Sequence, residues 1–160
     1  MTFAAPVALA LTLLLQPAGV SMLDFTGSWT MHEGRSDSAQ QDKFVGPVTL
    51  VISRVDATLI VETRRGDQVE VRKFVVEPTP DTPSAIGAGT LRAYMDGPKL
   101  VTEGAGSLQG QTVSIRALRT LNAAANEMTV ESTVAVQHGY TLRGAQTYAL
   151  VKDIYTRTAK

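Results

Sequence analysis

The chain has 160 residues, of which 44% are hydrophobic and 19% charged, so it is long and apolar enough for one folded domain and is not of disordered composition. Fifteen Lys and Arg balance fifteen Asp and Glu, and this net charge of zero predicts no nucleic-acid partner. The absence of cysteine excludes disulfides, thiolate nucleophiles and cysteine-based metal sites.

The first segment predicts a signal peptide over 1–21. It contains no charged residue, and its apolar run 7–15 is shorter than the about 20 residues that a bilayer-spanning helix needs. The small residues Gly19 and Ser21 favour cleavage after Ser21, with cleavage after Ala18 as an alternative. No Lys or Arg precedes the apolar run, so a buried N-terminal helix or strand is the competing interpretation. We expect a secreted or periplasmic bacterial protein with no stable membrane span once the signal is removed.

The remaining residues, 22–160, predict a single all-β domain, because their dominant hydrophobic period is two. Val48, Leu50 and Ile52 share one strand face, for example, and Asp96-Gly97 is a strong hairpin turn. The predicted strands are 25–32, 48–55, 58–63, 69–76, 90–95, 99–103, 112–119, 128–136 and 140–151. Closure into an antiparallel up-and-down β-barrel of about eight strands removes exposed edges. A β-sandwich is the alternative, with the proline-rich loop around Pro80 as its crossover.

Two segments depart from this rhythm of hairpins. The polar stretch 34–42 predicts a lid or a short helix between the first two strands. Apolar residues between Leu118 and Met128 have a helix-like spacing, but Asn122 and Asn126 and the strands on both sides favour a loop or one short turn.

The opening of the mature chain, with Gly27 and Trp29, resembles the G-x-W segment that begins lipocalin-like (calycin-type) barrels. The serial hairpins strengthen a resemblance to small secreted bacterial lipocalin-like proteins of unknown function. The resemblance implies that Trp29 packs across the closed end of the barrel against a basic side chain near the last strand. Arg143 is the preferred partner, with Lys152 and Arg157 as alternatives. Trp29 is therefore interpreted as a packing anchor and not as a ligand contact.

No pattern predicts a catalytic residue, a metal site or a cofactor. A zinc site needs three or four converging ligands, whereas the two histidines, His32 and His138, are interpreted as solvated surface residues. The serine motif G-x-S-x-G is absent. Carboxylates on strands become acids of raised pKa if they point inward, but alternation alone does not decide which of them do so, and solvent-facing positions are favoured: Glu62, Glu70, Glu103 and Glu131.

Three functions stay open, and binding of a small apolar ligand in the barrel is slightly favoured. The expected lining residues of the lumen are Tyr94, Met95, Ile115, Met128 and Tyr148. The alternative is a structural or interaction protein of the cell envelope with a filled barrel core and contacts on the loops 77–84 and 34–41. A small barrel enzyme is the least supported hypothesis.

Overall fold

The computed structural model describes residues 19–42, 46–79, 91–108, 111–137 and 146–158, which form nine β-strands and three short 3-10 helices. Most of the predicted signal peptide lies outside these residues. The helices are η1 (Met22–Phe25), η2 (Glu33–Arg35) and η3 (Asp37–Gln40). The strands are β1 (Gly27–Met31), β2 (Val48–Val55), β3 (Thr58–Arg65), β4 (Gln68–Val76), β5 (Leu91–Asp96), β6 (Lys99–Leu108), β7 (Gln111–Leu121), β8 (Glu127–Gln137) and β9 (Gln146–Arg157).

The strands form one closed barrel in chain order, in which β9 returns to pair with β1. All neighbours are antiparallel except β4 and β5, which are parallel. An odd number of strands cannot alternate direction all the way around a closed ring, so nine strands instead of the predicted eight require one parallel pair. The pair falls at the proline-rich loop 77–90, where the connection is long enough to carry the chain back.

Most strand bounds agree with the prediction, and the last strand is the main correction. The alternation predicts that it ends at Val151, whereas β9 runs to Arg157. Its second half places the polar residue Asp153 inward, which breaks the expected apolar pattern. The stretch 34–42 forms η2 and η3, as expected of a short helix, and the chain between β7 and β8 is a turn and not a helix.

The closed end of the barrel is built around Trp29, which is fully buried. Met22 and Phe25 of η1 pack into the same hydrophobic cluster, and the Trp29 indole N–H donates to the Phe25 carbonyl at 3.0 Å. Gly27 has φ of +127°, and a Cβ there would lie 3.0 Å from the Arg157 guanidinium. Glycine is therefore required at this position both for the backbone conformation and for the close approach.

The segment η2–η3 follows β1 and lies along β9, to which Ser36 and Ser38 are hydrogen-bonded. Within the described residues, no helix is both long enough and apolar enough to cross a membrane.

Candidate functional site

The barrel contains a cavity of about 660 Å³ that is open to solvent. Its apolar lining residues are Leu50, Val61, Phe74, Leu91, Ala105, Val113, Ile115, Ala117, Val130 and Val151. Its polar lining residues are Ser38, Gln41, Thr63, Arg65, Glu70, Arg72, Thr102, Arg119, Ser132, Asp153 and Tyr155. The volume lies in the usual range for small-molecule sites, and so does the combination of an apolar wall with a few polar groups.

Strand register explains why these side chains meet. On β7, alternate residues from Val113 to Arg119 face the lumen, and their partners on β8 include Val130 and Ser132. On β4 the same alternation places Glu70 and Arg72 inside and Val69 and Val71 outside, where both valines are exposed. The cavity is therefore more polar than an alternating apolar-in, polar-out pattern predicts.

Arg119 is the most unusual residue of the cavity. It is only 6% exposed, and one of its terminal nitrogens donates to Thr102 Oγ1 at 2.7 Å. Its Nε–H has no hydrogen-bond partner, and no carboxylate pairs with it among the described residues. Burial, and less strongly the nearby Arg72 charge, lowers the pKa of Arg119 to about 10, so the guanidinium is still charged at neutral pH.

Two further buried polar residues line the cavity, Tyr155 and Asp153. Tyr155 is buried, and burial together with the Asp153 charge raises the pKa of its phenol, so that it stays a neutral hydrogen-bond donor. The Asp153 carboxylate is 7% exposed and accepts hydrogen bonds from the backbone N–H and the hydroxyl of Ser38, at 2.9 and 2.6 Å. Ser38 belongs to η3, so this contact joins the segment η2–η3 to the cavity wall.

The charged residues of the lining differ in burial. Arg119 and Asp153 are buried, whereas Arg65 and Glu70 are exposed and the Arg72 side chain is 41% exposed. Arg72 donates to Glu70 at 2.6 Å. Arg119 is the deeply buried arginine without such a partner.

The predicted lumen residues lie in several different places. Ile115 lines the cavity. Met128 is fully buried and Met95 half-buried, and both pack with the hydrophobic cluster of the closed end, outside the cavity lining. The Tyr148 side chain lies outside the described part of the chain.

Tyr94 corrects the predicted lining, because its side chain lies on the outer face of the barrel. Leu91 lines the cavity, so alternation along β5 turns Arg92 and Tyr94 outward. The Tyr94 hydroxyl donates to Glu103 at 3.2 Å, and the Arg92 guanidinium lies 5.0 Å from its ring centroid. Tyr94 is only 4% exposed, but it belongs to this polar cluster on the outer face and not to the cavity lining.

The basic side chain over Trp29 is Arg157, whose guanidinium carbon lies 4.1 Å from the ring centroid. The preferred partner, Arg143, lies outside the described residues, whereas Arg157 was one of the two alternatives. Gly27 and Trp29 occupy the closed end, as the resemblance implies.

Arg119 and Asp153 were missed by the sequence reasoning, although a signal for Arg119 was present. The alternation that turns Val113 and Ile115 inward also turns Arg119 inward when it is continued for four residues. Asp153 had no such signal, because it lies beyond the predicted end of the last strand.

No protein-family model matches the chain, and no curated protein matches it. Among solved structures, a variant of the fluorescent protein UnaG is 17% identical with a TM-score of 0.50, over 88% of this chain and 100% of that one. A secretary abundant heat soluble (SAHS) protein from Ramazzottius varieornatus is 8% identical with a TM-score of 0.46, over 88% and 100%. The REP1-NXSQ fatty acid transporter is 11% identical with a TM-score of 0.45, over 86% and 98%. The lipocalin-like (calycin-type) barrel fold is confirmed, and identities this low show the fold alone.

Proposed function

We propose that the protein binds a small, mainly apolar molecule with an anionic group, such as a carboxylate, inside the barrel. The anion pairs with Arg119, and the apolar part fills the cavity against residues such as Val61, Phe74 and Ile115. The unpartnered Nε–H of the buried Arg119 carries this proposal.

The energetic argument concerns an uncompensated buried charge. A guanidinium removed from water without a carboxylate partner destabilises the fold by several kcal/mol, and a hydrophobic residue of similar size is often neutral or stabilising instead. Arg119 is therefore not explained by a contribution to the stability of the fold. A bound carboxylate supplies the missing partner and accepts from Nε–H in a bidentate geometry.

The cavity itself supports binding over a purely structural role. The alternative of a structural or interaction protein of the cell envelope needs a filled barrel core, whereas this barrel contains a cavity of about 660 Å³. An enzyme needs an acid–base group next to a reacting atom, and the buried carboxylate Asp153 is held by Ser38 instead.

A titration with 8-anilinonaphthalene-1-sulfonate, an apolar fluorescent anion, tests the proposal. We expect enhanced fluorescence with the wild-type protein and displacement of the dye by a long-chain alkanoate. Arg119→Met should weaken alkanoate binding about tenfold or more, because a charge-assisted pair is lost.

Arg116→Met is the matched control, since Arg116 lies three residues earlier on the same strand and faces outward. It should leave the affinity within about twofold. Equal affinities of wild-type and Arg119→Met protein for the alkanoate, or no binding of either molecule, would contradict the proposal.

We further infer that residues 1–21 direct export, so that binding takes place in a secreted or periplasmic protein. The support is the uncharged segment with its apolar run 7–15 and the small residues that precede Met22. Expression of the full chain in a bacterium should yield a mature protein that begins at Met22, as measured by intact mass. Leu13→Arg should block processing. A cytoplasmic product that retains 1–21 would rule out export.

A further inference from the structure

Two buried charges of opposite sign lie in one row across the cavity wall without forming a pair. Arg119 on β7 is in register with Val130 on β8, and Val130 is in register with Asp153 on β9. Both charged side chains line the cavity, and each is more than nine-tenths buried. No ion pair joins them among the described residues, so each charge keeps unused hydrogen-bonding capacity.

The unused capacity of Asp153 is on its carboxylate oxygens. Oδ1 accepts one hydrogen bond from the Ser38 backbone N–H, and Oδ2 accepts one from the Ser38 hydroxyl. A carboxylate has about four acceptor positions, so about two remain. Because Asp153 lines the cavity, a molecule bound there is placed to donate to it.

We propose that the ligand carries a second recognition element, a neutral N–H hydrogen-bond donor that binds the Asp153 carboxylate while the anionic group binds Arg119. The ligand class is therefore an apolar acid with an amide-type N–H close to its carboxylate. This inference rests on the proposed function and narrows it, because a plain alkanoate would leave Asp153 without a donor.

The row geometry sets the spacing of the two groups. Neighbouring strands lie about 4.8 Å apart, so the backbones of Arg119 and Asp153 are separated by about 10 Å. Both side chains line the same cavity, so one ligand can reach both if its carboxylate and its N–H lie within about 10 Å of each other.

The cost of removing a charge from water favours a neutral donor over an ammonium group. An ammonium group loses its hydration when it enters a mainly apolar cavity, and the Asp153 carboxylate is already partly satisfied by Ser38. An amide N–H satisfies Asp153 without adding charge.

Two probes of equal chain length distinguish the ligand classes: N-decanoyl-4-aminobutyrate and pentadecanoate. The first has an amide N–H three methylene groups from its carboxylate, and the second has none. We expect the wild-type protein to prefer the amide probe about tenfold or more, measured by isothermal titration calorimetry. Asp153→Asn should reduce this preference to about threefold or less.

Glu131→Gln is the matched control, because it neutralises an exposed carboxylate on the neighbouring strand β8 that does not line the cavity, so the preference should persist. Arg119→Met should weaken both probes alike. If Asp153→Asn does not fold, N-methylation of the amide probe, which removes its N–H, should abolish the preference of the wild-type protein.

The possible failures are distinguishable. Equal wild-type affinity for the two probes would overturn the inference and indicate that water satisfies Asp153 instead of the ligand. If this binding still depends on Arg119, the proposed function remains intact. A preference that survives Asp153→Asn would also overturn it. Failure of the wild-type protein to bind either probe would overturn the proposed function itself.

Discussion

A single guanidinium, that of Arg157, holds the closed end of the barrel together. It donates to the carbonyls of Ala125, Thr26 and Asp24 at 2.9, 2.8 and 2.6 Å, and it stacks on Trp29. Arg157 thus joins the β7–β8 turn to the segment that precedes β1. Carbonyls and an aromatic face are both favourable partners for a cation that keeps part of its hydration.

We predict that Arg157→Ala lowers the free energy of unfolding by about 2–4 kcal/mol, because several charge-assisted hydrogen bonds and the stacking are lost together. Arg157→Lys should recover only a minor part of the lost stability, since an ammonium group cannot reproduce the planar set of N–H donors of a guanidinium. Urea unfolding followed by the fluorescence of Trp29, the single tryptophan of the chain, measures both variants. A loss below about 0.5 kcal/mol for Arg157→Ala would contradict the prediction.

The buried charge of Arg119 makes stability depend on pH in the alkaline range. Burial lowers its pKa to about 10, well below the ordinary value of an arginine, so the unfolded chain holds the proton more tightly than the folded chain does. The free energy of unfolding should therefore increase with pH above about 10, by up to about 1.4 kcal/mol per pH unit.

The free energy of unfolding is measured with urea from pH 8 to 11 for two proteins, one with arginine and one with methionine at position 119. Tyr155→Phe is introduced into both proteins, because the raised pKa of this phenol gives a pH dependence of the opposite sign. The difference in free energy of unfolding should be constant below pH 9.5 and should then shift in favour of the arginine protein. A difference that stays constant up to pH 11 would contradict the prediction.

At the level of elements, the segment η2–η3 is attached to β9 by side chains in place of a β-ladder. The Ser36 hydroxyl donates to the Ile154 carbonyl at 3.2 Å and accepts from the Ile154 N–H at 2.9 Å. The Asp37 carboxylate accepts from the Lys152 N–H at 2.8 Å. β1 pairs with only the last residues of β9. Where β1 has ended, these side-chain contacts satisfy the backbone hydrogen-bonding groups of β9 instead.

We predict that Ser36→Ala loosens this segment, because it leaves the buried N–H of Ile154 without its partner. Amide hydrogen exchange in residues 33–40 should become about tenfold faster or more, and dissociation of a bound alkanoate should accelerate. Ser53→Ala, at an exposed position of β2, is the control and should change neither rate. Unchanged exchange in Ser36→Ala would show that the segment is held by other contacts.

The sequence predicts the elements well where residues alternate simply. The bounds of β2 were predicted to the residue, because Val48, Leu50 and Ile52 face the core and turn residues follow Val55. Two buried charged residues that face inward were not predicted: Arg119 and Asp153. A buried polar residue looks like a solvent-facing one in the sequence, and only its partners in space show which it is. The candidate site could therefore be predicted as a lumen but not as an anion site.

At the scale of the whole molecule, the barrel has one weak seam. β4 and β5 are in register over only two residue pairs, and the Glu77 N–H extends the contact by donating to the Ala93 carbonyl at 2.8 Å. The outer side of this seam is covered by ion pairs. Arg92 donates to Glu103 at 2.6 Å and to Glu77 at 3.1 Å, and so joins the end of β4 to β5 and β6.

This ion-pair cluster differs from the other surface pairs in its burial. The side chains of Arg92 and Glu77 are 16% and 11% exposed, whereas Arg64, which pairs with Glu62 on β3, is 57% exposed. Exposed pairs contribute about 0–1 kcal/mol, but removal of one partner from a largely buried pair leaves an uncompensated charge. The parallel junction therefore depends on Arg92 more than the short register of its strands indicates.

We predict that Arg92→Met lowers the free energy of unfolding by about 2–4 kcal/mol, because Glu77 is left largely buried without its cation and Glu103 keeps only its contact with the more exposed Arg116. Arg64→Met should change it by less than about 1 kcal/mol. If the seam is the weak point of the barrel, hydrogen exchange in Arg92→Met should accelerate first at the Glu77 amide, which donates to Ala93 across the seam, before exchange at the β8–β9 pairs changes. A uniform acceleration over all strands would instead show that the barrel opens as one unit and that the parallel junction has no separate stability.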